Sequence, residues 1–522
     1  MNPNSSPRAG SKEWIGLAVI ALPCLLYAMD LTVLYLAIPQ LAAELKPSSS
    51  QMLWIVDIYG FLVAGFLITM GTLGDRIGRR KLLLMGAAAF GAASVFAAFS
   101  NSAEMLICTR ALLGITAATL APSTLSLIRN MFLDANERTF AIGIWGTSFS
   151  IGGAIGPLVG GMLLEHFWWG SVFLLSVPVM ILLLLVGPKL LPEFKDPNAG
   201  RLDFTSALLS LLGVLSVIYG LKKISEDGLG KIPLAFIFAG IFVGYLFVKR
   251  QKTLSDPLLD LELFKIPTFS GALVANTMVI FVALGSFLFV TQYLQLVLGL
   301  SPLEAGLWTL PGAVGNVMGS LTVPILVKRI RRLYVVIGGC ILCILGFFLY
   351  FQIQGDSGLV YIFLGALCLS NGICCVVILG TDIIVGAAPP ERAGAAASIS
   401  ETGAEFGGVL GIAVLGSIGT AVYRNRMKEI SLEGVDPNSL EAARSTLGAA
   451  VAIAKDLPEQ FGTALTEAAR LAFLDSMRLV ILICAGISTV LAAGALYTLK
   501  NPKKAGEISG DRRAEETAEM VE

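Results

Sequence analysis

The sequence predicts an all-α integral membrane protein with fourteen transmembrane helices. Three observations carry that expectation. Across 522 residues, 55% are hydrophobic and only 14% are charged, and the mean hydropathy is +0.79, so a water-soluble surface cannot be assembled from this chain. The apolar residues gather into runs of about twenty, the length that crosses a bilayer. The cations fall on alternate connections between those runs, which fixes an orientation.

The runs lie near 14–37, 53–74, 82–100, 104–127, 139–164, 169–190, 204–222, 232–250, 269–295, 303–327, 333–353, 358–386, 394–423 and 474–499. The first follows only Arg8 and Lys12 and is about 24 residues long, so it is expected to stay as a helix rather than be cleaved. With both termini in the cytoplasm, the inner segments hold most of the Lys and Arg, including Arg76, Arg79, Arg80 and Lys81 after span two and Lys328, Arg329, Arg331 and Arg332 after span ten. The short outer loops hold Lys46, Lys222, Lys223 and Lys231. The long loop 424–473 has Ala/Leu/Glu/Lys runs on either side of Pro458, which predict one or two amphipathic helices outside the membrane. The tail from 501 to 522 is charged and poor in apolar residues, and is expected to be disordered.

Several chemistries are disfavoured. Lys+Arg and Asp+Glu balance at 37 each, so the charge points to no nucleic-acid partner. The eight cysteines fall within spans and behave as small hydrophobes. Cys340 and Cys343 form a CxxC, but the single histidine, His166, is in another segment, so no metal site is expected. There is no H-E-x-x-H and no G-x-x-x-x-G-K-[ST], so neither an enzyme nor an ATP-driven pump is expected, and no cofactor.

The informative residues are the charges at bilayer depth, each costing about 2.5 to 3.5 kcal/mol on insertion scales. Asp30 lies in span one, Asp57 in span two, Arg110 in span four, Asp382 in span twelve, and Glu401 and Glu405 in span thirteen. At about 100° per residue from Glu401, Glu405 falls at about 40°, Ser398 at about 60° and Thr402 at about 100°. Gly403, Gly407 and Gly411 occupy a second face, suited to close packing on one neighbour. Ile399, Phe406, Leu410 and Ala413 form a third, apolar face. Two acids one turn apart exchange protons as a coupled pair, and a proton and an incoming cation compete for the same negative charge. Asp57, in "LWIVDIY" with Trp54 and Tyr59, suits a delocalised cation through charge and cation-π attraction, or belongs to an interfacial aromatic belt. Asp382 either joins the inner mouth of a cavity or pairs with inner-loop cations. Arg110 is expected to pair with an acid, Asp30 being the candidate.

Four stretches carry a family resemblance. "GTLGDRIGRRK" (Gly71, Gly74, Asp75, Arg76, Gly78, Arg79, Arg80) follows span two; "MDLTVLYLAIP" lies in span one; Arg110 is followed by Gly114 in span four; and "GGAIGPLVGG" (Gly152, Gly156, Pro157, Gly160, Gly161) lies in span five. Glycines 74 and 78 would permit a tight turn, and Asp75 would pair with neighbouring arginines or cap a helix. In order and position these resemble the signatures of the major facilitator superfamily. With fourteen spans, they resemble its drug:H+ antiporter family with fourteen helices, the multidrug exporters of the QacA and SmvA type.

The resemblance implies two six-helix bundles, 1–190 and 266–500, joined by 191–265 with two additional central helices, spans seven and eight. It implies proton coupling by Asp30, Glu401 and Glu405, and substrate binding by Asp57, Trp54, Tyr59, Glu405, Asn316 and Asp382. Small lipophilic cations, protons and membrane lipids would be its partners, in a bacterial inner membrane, as a monomer powered by the proton motive force. Export of an endogenous metabolite, lipid precursor or neutral drug, with the same acids serving protons alone, is the alternative. Some relatives in that family that accept dications have acids where this chain has Asn316 and Ser400, which argues against strong recognition of dications and leaves monovalent lipophilic cations untouched. The counterpart of the signature loop in the second half, "GSLTVPILVKRIRR", keeps the cations but lacks the Asp and the inner Gly, so the halves are expected to gate unequally.

Overall fold

The computed structural model describes residues 8–47, 49–195, 203–227, 230–254, 257–300, 302–353, 358–388, 393–428, 436, 440–441, 443–444 and 446–499. The expected tail 501–522 and part of the loop 424–473 lie outside them. Among the described residues, fourteen helices are long and apolar enough to cross a membrane. The first half holds α1 (Ser11–Leu45), α2 (Ser49–Ile77), α3 (Arg79–Ala98), α4 (Ala103–Ala117) with α5 (Leu120–Met131) as one broken span, α6 (Ala135–His166), and α7 (Ser171–Leu174) with α8 (Ser176–Leu190) as another. Then come α9 (Phe204–Asp227) and α10 (Lys231–Gln251). The second half holds α11 (Pro267–Gln292), α12 (Pro302–Arg329), α13 (Arg332–Phe351), α14 (Gly358–Ala387), α15 (Ala393–Lys428), the short α16 (Leu447–Ala454) and α17 (Glu459–Leu499).

Close helix approach is bought with small residues, because lipid supplies no hydrophobic drive between helices. The glycine stripe of α15 lies against α11: a Cβ on Gly407 would meet the Thr277 carbonyl, and one on Gly411 the Phe281 carbonyl. Gly339 and Gly346 of α13 fit α14 in the same way.

Three placements come from the fold and not from the sequence. The pair α9 and α10 stands beside the seam of the two bundles: α9 lays Ile218, with Val214, Leu215 and Tyr219, on Phe61 and Ala64 of α2 and on Phe406 and Val409 of α15. It thus covers one side of the seam where the bundles meet, and α10 packs on its outer face through Gly240 and Gly213. The apolar face of span thirteen therefore meets protein at Phe406. The signature-loop turn is also shorter than expected, because α2 continues to Ile77 and only Gly78, at φ 113°, leaves the helical region. Finally, the helix after Pro458 runs without a break into span fourteen.

The chain after α10 is strapped across the same seam. Gln251, 3% exposed, accepts from the Leu258 N–H at 2.8 Å and donates to Ser206 at 2.8 Å. The Thr72 hydroxyl of α2 donates to the Leu258 carbonyl at 3.0 Å. Leu258, Leu259 and Leu263 then pack with Ile384 of α14 and with Ala396 and Ile399 of α15.

Candidate functional site

Two ion-paired clusters join the halves at the signature-loop end. Asp75, buried, pairs with Arg79 one turn on, and Arg79 donates to the Gly71 carbonyl at 2.8 Å. The same carboxylate accepts from the Ala395 N–H at 3.0 Å and the Gly394 N–H at 3.4 Å. An acid of α2 therefore caps the N-terminus of α15, where unpaired N–H groups and the helix dipole favour negative charge. Both roles open to Asp75 from sequence are filled at once. In the second cluster, Asp382 of α14 is fully buried. It accepts from Arg138 Nε at 2.5 Å and from the Thr139 hydroxyl at 3.0 Å, and forms an ion pair with Arg332 Nη1 at 3.0 Å. Its carboxylate oxygens are paired with cations at the starts of α6 and α13, Arg138 and Arg332.

Deeper in the bundle the acids of the two halves converge. Asp30 of α1 accepts from Arg110 Nη1 at 2.7 Å, forming the pair expected from sequence. Arg110, 1% exposed, also donates to the Ile55 carbonyl at 3.2 Å and stacks 4.6 Å from the centre of the Tyr59 ring. Tyr59 is completely buried. Its hydroxyl has no hydrogen-bond partner among the described residues and lies in the field of Asp30, Arg110 and Glu405. The Tyr27 ring stands 5.9 Å from Tyr59, and its hydroxyl donates to Glu405 Oε1 of α15 at 3.2 Å. Glu401 has Glu405 and Cys24 as electrostatic neighbours. Asp30, Arg110, Tyr59, Tyr27, Glu405 and Glu401 thus form a continuous polar and aromatic path across the seam.

Not every candidate joins it. Trp54 is 41% exposed and meets Phe61 at 6.3 Å, on a different face of α2 from Tyr59. The side chain of Asp57 lies outside the described residues. Asn316 of α12 is half-buried, and its carbonyl accepts from the Ser320 hydroxyl at 2.9 Å. Among the described residues no group of His, Cys, Asp and Glu could hold a metal ion.

Sequence reasoning missed Tyr27, although it lies one turn before Asp30 and so on the same face. It also missed Phe149 and Trp145 of α6. Phe149 is 5.7 Å from Tyr27 and 4.8 Å from Trp145, both edge-to-face. The Trp145 indole N–H donates to Thr124 at 3.0 Å. Nothing in the sequence near 145–149 distinguishes these rings from lipid-facing ones.

A fourteen-span helical membrane protein whose halves are tied by an acid near the end of α2 has the architecture of a transporter. The family described as Major Facilitator Superfamily matches residues 20–412, and the chain belongs to it. It is 43% identical over 492 residues to the multidrug efflux pump LfrA of Mycolicibacterium smegmatis, covering 94% of this chain and 97% of the relative. It is 34% identical over 502 residues to the methyl viologen resistance protein SmvA of Salmonella typhimurium, covering 94% and 99%. In fold it is similar to the human organic anion transporter MFSD10, with TM-score 0.57, 14% identity, and coverage of 91% of this chain and 99% of the other. The protein is a multi-pass membrane transporter, not an enzyme.

Proposed function

We propose that this protein is a proton-coupled antiporter that exports lipophilic cations, such as quaternary ammonium compounds, dyes and biocides. It would sit in a bacterial inner membrane with both termini and the signature loop in the cytoplasm. The carrying observation is the pair Glu401 and Glu405, one turn apart on α15, with Glu405 bonded to Tyr27 of the opposite half. Such a pair holds protons when the site is empty of substrate and gives them up to an entering cation. The multidrug efflux and methyl viologen resistance named for the relatives support export of cations. Methyl viologen is a dication, whereas Asn316 and Ser400 are neutral here, so the reading commits to monovalent cations.

The energetics close on this reading. Each positive charge moved inward across 100 mV releases about 2.3 kcal/mol, so inward protons drive an outward cation when enough of them move per cycle. With the signature-loop end joined by Asp75 and Asp382, loading from the cytoplasm requires those contacts to part. The bundles then rock about the acids at mid-depth.

The test is cation-triggered proton release from purified protein, followed by ethidium transport in vesicles under an imposed pH gradient. Ethidium or benzalkonium is expected to release protons, and Glu405→Gln is expected to abolish both release and proton-driven efflux while leaving expression intact. No release from the wild type would overturn the cation reading in favour of a neutral cargo. Full efflux by Glu405→Gln would remove Glu405 from the coupling.

A further inference from the structure

Glycines in helix interiors cost roughly 1 kcal/mol each relative to alanine, so a glycine that packing does not require needs another explanation. In α6, Gly152 and Gly160 are packing glycines: a Cβ on them would strike the Leu25 carbonyl and the Val33 side chain of α1. Gly143 fits against the Ser320 backbone of α12. Gly146 and Gly153 differ. A Cβ at either would meet nothing within 4 Å among the described residues, and neither has a positive φ. Their helix does not need them to be glycine.

The direction of that open face follows from the helix period. Taking Trp145 as zero at about 100° per residue, Phe149 falls at about 40°, Gly153 at about 80° and Gly146 at about 100°. Ile155 and Met162, 40% and 57% exposed toward lipid, fall at about 280° and 260°. The glycine face is therefore turned away from lipid, and it lies between the side packed on α1 and the side packed on α12. Phe149 flanks it, in edge-to-face contact with Tyr27, whose hydroxyl reaches Glu405. Independently, the fully buried Tyr59 hydroxyl next to Tyr27 lacks a partner among the described residues.

The geometry points to a substrate subsite on α6, in which Gly146 and Gly153 clear room for the bulk of a large lipophilic monocation against Phe149 and Tyr27, with Glu405 supplying the charge. It rests on the cation-export reading and adds what sets the upper size of the cargo. A phosphonium or quaternary ammonium ion has no N–H to donate, so its recognition needs a carboxylate for charge and ring faces for cation-π attraction. Both are present, and the helix face beside Phe149 is open for at least 4 Å around the positions a Cβ would take at Gly146 and Gly153.

The experiment measures transport of tetraphenylphosphonium and tetraethylammonium by full-length protein in vesicles, for wild type, Gly146→Leu, Gly153→Leu and Phe149→Leu. The glycine variants fill open space, so folding is retained; they are expected to lose tetraphenylphosphonium transport by about tenfold or more while tetraethylammonium transport persists. Phe149→Leu is expected to raise KM for tetraphenylphosphonium several-fold with little change in maximal rate, and Phe149→Tyr to restore it. If the wild type carries both cations and the glycine variants keep the wild-type ratio between them, the subsite is wrong and the export reading stands. A wild type that carries neither cation overturns both.

Discussion

Asp75 and Asp382 tie the two halves together at the same end of the molecule by different physical means. Asp75 uses a helix terminus: its carboxylate sits on the N–H groups of Gly394 and Ala395, with Arg79 as its local counter-ion. Asp382 uses discrete ions, held between Arg138 of the first half and Arg332 of the second. The second signature loop has lost its own acid, and the structure shows where the replacement comes from: a residue fifty positions after Arg332, on α14, meets that arginine. A dipole cap is directional and parts at lower cost, since Asp75 keeps Arg79 when it leaves the helix terminus. An ion cluster parted without replacement leaves charges unpaired at depth. The first junction is thus suited to parting readily in each cycle, the second to parting only at a higher cost.

That contrast sets the order of expected effects. Asp382→Asn leaves Arg138 and Arg332 without their shared counter-ion and is expected to be the most damaging. The loss of stability is about 3 kcal/mol, at the low end for a broken buried pair because Arg332 is 35% exposed. It is read as a fall in Tm together with lost transport, and an unchanged Tm would show that the cluster is not a stabilising junction.

Asp75→Asn is expected to be milder, because the amide oxygen still accepts from the Ala395 N–H and Arg79, though it loses its counter-ion, keeps the Gly71 carbonyl. Loss of charge at the helix terminus is expected to cost the closed end about 1 to 2 kcal/mol. A cysteine placed at the signature-loop end should then label faster while Tm changes little. A variant that destabilised the fold as much as Asp382→Asn would erase the distinction between the junctions.

The smallest effect is expected outside the membrane, at Asp203. The Arg250 guanidinium and the Ser206 hydroxyl hold its carboxyl well below the usual carboxylate range. A group depressed in the folded state stabilises above its unfolded value and loses that contribution as pH falls through the folded one. Stability from this pair should therefore be flat from neutral pH to about 4 and decline only below that. Asp203→Asn should remove the acid-side decline attributable to the pair, and a pair contribution that vanished between about pH 7 and 5 would contradict the assignment.

Much of the architecture was legible without coordinates because insertion into a bilayer is a local, additive property of about twenty residues at a time. The fourteen spans follow from that, as does the glycine stripe at 403, 407 and 411, whose period shows which face packs. The pairing of Asp30 with Arg110 was also legible, since a lone buried cation near acids must find one. What could not be read were relations between faces of distant helices. Trp54 and Tyr59 look alike in "LWIVDIY", yet one is exposed and the other lies under Arg110. From sequence Asp382 is as eligible for the mouth of a cavity as for pairing with cations, and only the fold brings Arg138 and Arg332 onto it.

By itself the sequence determined that the chain crosses the membrane fourteen times, which residues carry charge at depth, and which glycines repeat on one helix face. Those are consequences of transfer energy and of helix period, both set by neighbours in the chain. Only the tertiary structure decided that α9 lies beside the seam, that Asp75 caps α15, that Tyr27 meets Glu405, and that Gly146 and Gly153 face open space while Gly152 and Gly160 do not. Those depend on which helices are neighbours, and a charge, a ring or a missing side chain acquires its effect from what stands opposite it.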